Sequence, residues 1–245
     1  MVGNSQQGQR HVIWVTGGKG GTGKSTFARG ALDTLIAAGV NVAAFDGDPE
    51  NAQFYRFYKD VGSGVVRTEL NTRDGGDPLL NSMEEEGPAV ILADVAAGGS
   101  QILVHLEEEV GFLSDAAEMG YQFTVVSVLS PIKDSVNMLK EAMDTTHGHN
   151  VQHVAVKNLH FGDAGDFELF DSSKTKQRFT EGGGIVLEMR DLFSKTYALV
   201  DRDNLPFRSA LAKESGLQRA DRKRVQQWLT CFKDQMVRAE GALGL

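Results

Sequence analysis

Short apolar runs alternate along the chain with stretches in which apolar positions recur every three or four residues. The runs are rich in β-branched and aromatic residues, which is typical of buried strands. The stretches between them have the periodicity of amphipathic helices. The pattern predicts six strands, at Val12–Val15, Val40–Phe45, Gly87–Asp94, Tyr121–Leu129, Val151–Asn158 and Gly184–Met189.

The segments between the strands are predicted mostly as helices. Residues 60–78 are rich in Gly, Asp and Thr and are predicted as a loop or a short edge strand. Two acidic triplets, Glu84–Glu86 and Glu107–Glu109, are predicted as solvated helix ends, whereas residues 161–179 follow no clear pattern. One predicted helix begins at Ser25, and three others span Ala52–Tyr58, Ile132–Thr146 and Gln218–Glu240.

Alternating strands and helices indicate an α/β fold. We expect a doubly wound, mainly parallel sheet flanked by helices, because crossover helices cover both faces of such a sheet. A chain of 245 residues can bury one substantial core, so residues 1–245 are expected to form one domain, with residues 1–10 as a flexible tail.

A glycine-rich loop joins the first predicted strand to the first predicted helix. Its spacing, Gly18-x-x-x-x-Gly23-Lys24-Ser25, is that of a phosphate-binding loop. Glycines let successive N–H groups turn towards phosphate oxygens, and the helix start adds unpaired donors. Lys24 is then expected to reach the β- and γ-phosphates, and the Ser25 hydroxyl is expected to bind Mg²⁺.

The same loop also fits a dinucleotide-binding motif. Gly18-x-Gly20-x-x-Gly23 has the required spacing, and Asp46 lies at about the distance of a ribose-binding residue. A dinucleotide site has no need of the Lys-Ser pair that follows the last glycine, whereas a triphosphate site uses it. The pair therefore favours a nucleoside triphosphate.

Carboxylates follow two of the predicted strands. Asp46 and Asp48 end the second strand, where parallel sheets bind ligands, although an Asx turn beside Pro49 also explains them. Asp94 ends the third strand as in a Walker B motif and is expected to hold Mg²⁺.

The segment Lys19-Gly20-Gly21-Thr22-Gly23-Lys24-Ser25 resembles the deviant Walker A motif of the ParA/MinD ATPases. The resemblance implies ATP and Mg²⁺ as cofactors, and catalytic roles for Lys19 and Lys24. Lys19 is implied to reach the nucleotide of a second subunit in an ATP-dependent homodimer. The residues implied to contact the nucleotide in this loop are Gly18, Lys19, Gly20, Gly21, Thr22, Gly23, Lys24, Ser25 and Thr26.

Other segments fit the same family less closely. Asp46-x-Asp48-Pro-Glu is similar to its Asp-x-Asp-Pro-Gln segment, which implies that Asp46 orients the attacking water and Asp48 supports Mg²⁺. Asn158 and Pro206 lie where the family contacts adenine, although a strand-ending Asn and an ordinary proline turn explain them almost as well. After Asp94 the chain departs from the family pattern.

Three interpretations of the last predicted helix stay open. Its polar side carries Arg219, Arg222, Lys223 and Arg224. It is the solvated face of a helix docked on the sheet, a surface for non-specific DNA, or part of an amphipathic membrane helix as in MinD. With a net charge of −8, binding of nucleic acid requires such a local basic patch.

Composition narrows the class of protein. No apolar run approaches the roughly 20 residues of a membrane span, and the first residues are polar, so a cytoplasmic location is expected. Cys231 is the only cysteine, which excludes an internal disulfide and a cysteine-held iron–sulfur cluster.

The family resemblance implies a slow ATPase that acts as a dimerisation switch. It would serve in plasmid partition, positioning or conjugative-plasmid maintenance, as in StbB/TraL-type proteins, with DNA as its track and an adaptor protein as its stimulator. The alternatives are a small-molecule kinase or ligase similar to dethiobiotin synthetase, a membrane-associated positioning ATPase, and a binding module with a vestigial ATPase.

Overall fold

The computed structural model describes residues 8–18, 20–84 and 86–245. Part of the predicted tail lies outside the described residues, and so do Lys19 and Glu85. Seven parallel strands form one sheet in the order β3-β2-β4-β1-β5-β6-β7, so the predicted fold class is confirmed. The strands are β1 (Arg10–Gly17), β2 (Val42–Gly47), β3 (Val65–Arg67), β4 (Val90–Val95), β5 (Tyr121–Leu129), β6 (Val151–Asn158) and β7 (Ile185–Met189).

Helices cover both faces of this sheet. Successive residues of β1 contact helices on opposite faces of the sheet, because neighbouring side chains on a strand point to opposite faces. Ile13 and Val15 pack in the layer of the first and last helices, whereas Trp14 packs against Phe112 on the other side. The helices are α1 (Lys24–Ala37), α2 (Gln53–Tyr58), α3 (Asp77–Leu80), α4 (Gly99–Val110), α5 (Phe112–Glu118), α6 (Lys133–Thr145), α7 (Glu168–Asp171), α8 (Lys174–Glu181), α9 (Ser194–Arg202) and α10 (Arg219–Arg238).

Two acidic triplets behave differently from each other. Glu107–Glu109 lies in the last turns of α4, as predicted. The helix end predicted at Glu84–Glu86 is wrong for Glu84 and Glu86, which lie in the connection between α3 and β4. The single turn of α3 stops at Leu80, and Gly87 and Pro88 then disfavour a helix.

The segment without a clear pattern folds around a buried lysine. Residues 161–179 contain α7, most of α8 and 3₁₀ turns, and Phe167, Phe170 and Phe179 of this segment are buried. Lys157 of β6 donates hydrogen bonds to Asp171 at 2.7 Å and to a backbone carbonyl at 3.0 Å. These long-range contacts are why local periodicity did not predict the segment.

The last helix docks on the first. Trp228 and Phe232 of α10 lie directly over Gly30 of α1, where a Cβ atom would stand 2.9 Å from the Trp228 ring. The apolar face of α10 is therefore covered, which contradicts its interpretation as a membrane-lying helix. None of the helices in the described part of the chain is long and apolar enough to cross a membrane.

Candidate nucleotide-binding site

The glycine loop lies at the carboxyl edge of the sheet, after its central strand. β1 is paired with β4 on one side and with β5 on the other. In the sheet register, Asp94 of β4 lies beside Val15 of β1 and beside Asp46 of β2. The sheet therefore brings the loop and two acidic strand ends to one place, which is where parallel sheets bind ligands.

The loop backbone has the shape that phosphate binding requires. Gly21 and Gly23 adopt φ values of +91° and +98°, in the left-handed region that side chains disfavour. A Cβ atom on Gly23 would also stand 2.4 Å from the Asn158 amide nitrogen. No side chain caps α1, which leaves the amides of its first turn available to an anion.

Lys24 and Ser25 line a cavity of about 350 Å³ beside this loop. The Lys24 side chain is 7% exposed, yet its ammonium group makes no hydrogen bond with any described residue. Gly20, Gly21 and Thr26 line the same cavity, and Thr22 contributes a buried hydroxyl beneath the loop. Gly18 is buried where the loop leaves β1. Except for Lys19, the loop residues predicted from the sequence therefore lie together.

Asp94 is a fully buried acid beneath the loop. Burial raises its pKa to about 7, and repulsion from Asp46 adds to this effect, while the nearby Ser25 hydroxyl and the Lys24 charge lower it. Neither carboxylate oxygen has a hydrogen-bond partner among the residues that the structure describes. Unpartnered carboxylate oxygens next to a serine hydroxyl fit Mg²⁺, which prefers oxygen ligands and is held by few protein groups besides phosphates.

The two carboxylates at the end of β2, Asp46 within it and Asp48 just after it, have different surroundings. Asp46 is 1% exposed, and its carboxylate accepts the backbone N–H groups of Asp48 at 3.0 Å and Tyr55 at 2.8 Å. Asp48 is half-buried and lines the cavity, while one of its oxygens accepts the amides of Glu50 and Asn51. The structure thus places Asp48 at the cavity and uses Asp46 to hold the start of α2.

One part of the cavity lining is apolar and aromatic. It includes Met189 and Leu192 at the end of β7, Tyr197 of α9 and Trp228 of α10. The Trp228 indole N–H donates to the Arg190 carbonyl at 2.6 Å, which fixes the ring in place. A planar base fits such a wall, because aromatic and aliphatic side chains bury its faces.

Asn158 lines the cavity, and its amide makes two hydrogen bonds within the chain. Its nitrogen donates to the Thr22 carbonyl at 2.9 Å, and its oxygen accepts from the His160 amide at 3.1 Å. The side chain fixes the glycine loop to the end of β6. One N–H group and one acceptor site of the amide are left over, so Asn158 can support the loop and also contact a base, and its role at the base stays a prediction.

Pro206 is not brought to this cavity. It lines a separate cleft with Arg56 and Lys59, while its neighbour Phe207 is fully buried against Trp228 with ring centroids 4.6 Å apart. The Phe207 amide donates to the Tyr58 hydroxyl at 3.0 Å, which holds this turn at the core. The predicted adenine contact of Pro206 does not fit this placement.

The basic residues of α10 are partly engaged within the chain. Arg222 donates to the Leu217 carbonyl at 2.6 Å, and Arg224 pairs with Asp221 at 2.9 Å. Arg219 and Lys223 are exposed. A DNA-binding role for these four residues stays a prediction.

The apolar and aromatic lining was not predicted from the sequence. Tyr197 lies on α9, and its hydroxyl contacts Thr26 at 3.3 Å, while Trp228 lies on α10. His160 and Asp191 at the rim share a contact of 2.9 Å. The sequence signal for His160 and Asp191 was their position just after the last two strands, at the sheet edge where parallel sheets bind ligands.

This geometry defines a class of protein before any comparison is made. A glycine loop between a central parallel strand and its helix, with an unpaired lysine and a buried acid beside it, is the site of a P-loop nucleotide-binding protein. The chain matches the model of the CobQ/CobB/MinD/ParA nucleotide binding domain over residues 13–160, more than half of its length, and it belongs to this family.

Individual relatives agree with this assignment. Protein MobD of Acidithiobacillus ferrooxidans is 28% identical over 183 residues, which cover 75% of this chain and 78% of MobD. The septum site-determining protein MinD of Pyrococcus horikoshii OT3, solved with Mg-ADP, is 13% identical, with a TM-score of 0.52 over 96% of this chain and 99% of that one. A nucleotide-binding protein of Archaeoglobus fulgidus, solved with ADP, is 16% identical, with a TM-score of 0.52 over 78% and 86%.

The two solved structures share the fold of this chain. The family predicted from the Lys19–Ser25 motif is confirmed by the match to the family model. The plasmid-borne subtype stays a prediction.

Proposed function

We propose that this chain is a Mg²⁺-dependent ATPase that switches between a monomer and an ATP-bound homodimer. The observation that supports this function best is the grouping of three features: the glycine-loop amides and the unpaired Lys24 line one cavity, and the buried carboxylate of Asp94 lies beside Ser25 of the same loop. The similar MinD and Archaeoglobus structures hold adenine nucleotides, which supports ATP as the ligand.

The chain's own residues divide the work of nucleotide binding. The loop amides and the α1 N-terminus bind the phosphate oxygens, while Lys24 neutralises charge at the β- and γ-phosphates. Ser25 and Asp94 would hold Mg²⁺, which when bound neutralises charge that develops on the phosphates. The pKa of Asp94 means that this carboxyl group must lose its proton before it can bind the cation.

We assign the orientation of the attacking water to Asp48 in place of Asp46. Asp48 lines the cavity and has a carboxylate oxygen that makes no hydrogen bond with the described residues. Asp46 instead holds the backbone of Asp48 and of Tyr55, and so positions Asp48. A carboxylate that accepts a hydrogen bond from water can align it with the γ-phosphate.

Exposed apolar side chains support a dimer face around the cavity. Ile132 is 52% exposed, Phe161 40% and Phe193 49%, and they follow β5, β6 and β7 at the carboxyl edge that carries the loop. Large apolar side chains grouped at one face are typical of protein interfaces. Lys19 lies outside the described residues, and its contact with the second subunit's phosphates is proposed from the family motif.

The cellular role is proposed from the family resemblance. A switch of this kind would act in plasmid partition, positioning or conjugative-plasmid maintenance, with non-specific DNA bound by Arg219 and Lys223 and a stimulating adaptor protein. The covered apolar face of α10 favours DNA over a membrane as the track. A small-molecule kinase would instead increase turnover only with its acceptor.

The test compares two conservative variants at neighbouring positions. We expect Asp48→Asn to reduce ATP turnover by at least about tenfold with unchanged stability, because the neutral amide keeps the turn but holds the attacking water more weakly than a charged carboxylate does. Asp46→Asn should mainly lower the free energy of unfolding, by about 1–3 kcal/mol, because an amide oxygen replaces only one of two buried acceptors. Phosphate release and urea denaturation measure the two effects. Wild-type turnover by Asp48→Asn would refute the assignment.

A further inference from the structure

A second cleft of about 650 Å³ lies on the surface between α2, β3 and the turn that holds Pro206. We call it the α2 cleft and define it by Tyr55, Arg56, Lys59, Arg67 and Pro206. It is distinct from the nucleotide cavity, and none of these five residues lines that cavity. Its mixture of aromatic, aliphatic and cationic walls is suited to a ligand with both charge and apolar groups.

The charge of the α2 cleft is opposite to that of the whole chain. Three cations line it against one carboxylate, that of Asp60, although the chain carries a net charge of −8. Arg56 is paired with Asp201 at 2.6 Å. Lys59 and Arg67 are exposed and have no carboxylate partner among the residues that the structure describes. The cleft thus presents two exposed positive charges that form no ion pair with the described residues.

A buried cation lies behind the wall of the cleft. Arg29 is fully buried, and its guanidinium stacks 3.6 Å from the centre of the Phe57 ring, while Arg56 lies 4.6 Å from the same ring. Two nitrogen atoms of Arg29 have no hydrogen-bond partner, and no carboxylate in the described ranges pairs with it. Asp33, the nearby acid, is engaged by the Tyr58 hydroxyl and the Arg208 amide. Asp33 also interacts electrostatically with Arg29 and offsets part of its charge, so the exposed Lys59 and Arg67 dominate the potential of the cleft.

The free edge of the sheet favours an extended peptide as the ligand. β3 is an edge strand, and Val66 within it is 49% exposed. An extended segment can pair with such an edge while its side chains enter a neighbouring cleft. Binding of nucleic acid requires a line of cations along a groove, whereas the α2 cleft has two exposed cations, Lys59 and Arg67, beside apolar walls.

The α2 cleft is connected to the acids of the nucleotide site. Arg67 is the register partner of Asp46, and it donates to the Pro49 carbonyl at 3.4 Å, next to Asp48. Tyr55, on the wall of the cleft, donates its backbone N–H to the Asp46 carboxylate. A ligand that engages Arg67 therefore acts on the loop that carries both carboxylates.

The geometry points to the α2 cleft as the binding site for an acidic segment of a partner protein, one that carries aspartate or glutamate together with apolar side chains. Its effect on hydrolysis, through Arg67 and the Asp46–Asp48 loop, rests on the proposed function. Binding itself does not.

The test measures binding without nucleotide, by fluorescence anisotropy. The probe is a fluorescein-labelled peptide that alternates Glu with Leu, and its control has Gln in place of Glu. Lys59→Glu reverses a charge in the cleft, and the matched control Lys174→Glu reverses an exposed lysine on α8. We expect the acidic peptide to bind wild type and the Lys174→Glu variant equally, and the Lys59→Glu variant about tenfold more weakly.

Three results would overturn this assignment. They are no binding of the acidic peptide, equal weakening by both lysine variants, and tighter binding of labelled duplex DNA that is lost in Lys59→Glu. The last would assign the cleft to nucleic acid. Because no nucleotide is present, failure of peptide binding leaves the proposed ATPase standing, and failure of the ATPase leaves the peptide result standing.

Discussion

Replacing the buried acid beneath the glycine loop should change how stability depends on pH. The pKa of Asp94 is about 7 in the folded protein, against an ordinary value of 3.8. A carboxyl group whose pKa is raised by folding favours the folded state only while it is protonated. Its ionisation therefore lowers the free energy of unfolding as pH rises from about 4 to about 7. Each pKa unit corresponds to about 1.4 kcal/mol, so the full effect is about 4 kcal/mol.

The variant Asp94→Asn removes this ionisation while keeping the shape of the side chain. Burying the amide lowers the free energy of unfolding by an amount that does not depend on pH. This amount cancels when the difference in free energy of unfolding between variant and wild type is compared at two pH values. We expect that difference to shift by about 4 kcal/mol in favour of the variant between about pH 4 and about pH 8. Loss of the repulsion between Asp94 and Asp46 acts in the same direction, because it also eases ionisation of Asp46.

Urea denaturation without nucleotide or Mg²⁺ measures the effect, with Asp234→Asn, an exposed aspartate on α10, as the control. The control should follow wild type at both pH values. A parallel pH dependence of wild type and Asp94→Asn would refute the reasoning, because it would mean that Asp94 ionises as easily in the folded as in the unfolded chain.

Two further predictions concern the walls of the nucleotide cavity. Gly23→Ala should weaken ATP binding by at least about tenfold, measured by calorimetry, because its Cβ atom would collide with the Asn158 amide at a backbone angle that favours glycine. Gly165→Ala, with open space around the new Cβ, should bind as wild type does, and weak binding by both would contradict the explanation. Nucleotide should change the tryptophan fluorescence of wild type and of Trp14→Phe but not of Trp228→Phe, because Trp228 alone of the two tryptophans lines the cavity. A signal that persists in Trp228→Phe would place the base elsewhere.

Local signals in the sequence predicted the sheet and the glycine loop well. The bounds of β5 and β6 agree with the predicted ones, because continuous β-branched runs ended by turn residues are unambiguous over that length. The spacing from Gly18 to Ser25 carries its own chemistry, so the loop needed no tertiary information.

Side-chain direction could not be predicted in the same way. Asp46 and Asp48 end the same strand, and only the packing of α2 decides that one accepts backbone amides while the other faces the cavity. The resemblance implies a base contact for Asn158, but the hydrogen bond from its amide nitrogen to the Thr22 carbonyl could not be predicted, because Thr22 is distant in sequence. Tyr197 reaches the site through the fold of the last third of the chain, which periodicity does not describe.

The most direct test of the proposed switch is the mass of the particle in solution. Light scattering coupled to size exclusion would be applied to Asp48→Ala, which should bind ATP but hydrolyse it slowly, with and without Mg²⁺ and ATP. The account predicts a monomer that becomes a dimer only when both are present, and a monomer throughout for the double variant Lys19→Ala/Asp48→Ala. An unchanged mass for Asp48→Ala with bound nucleotide would contradict the switch and favour a small-molecule enzyme.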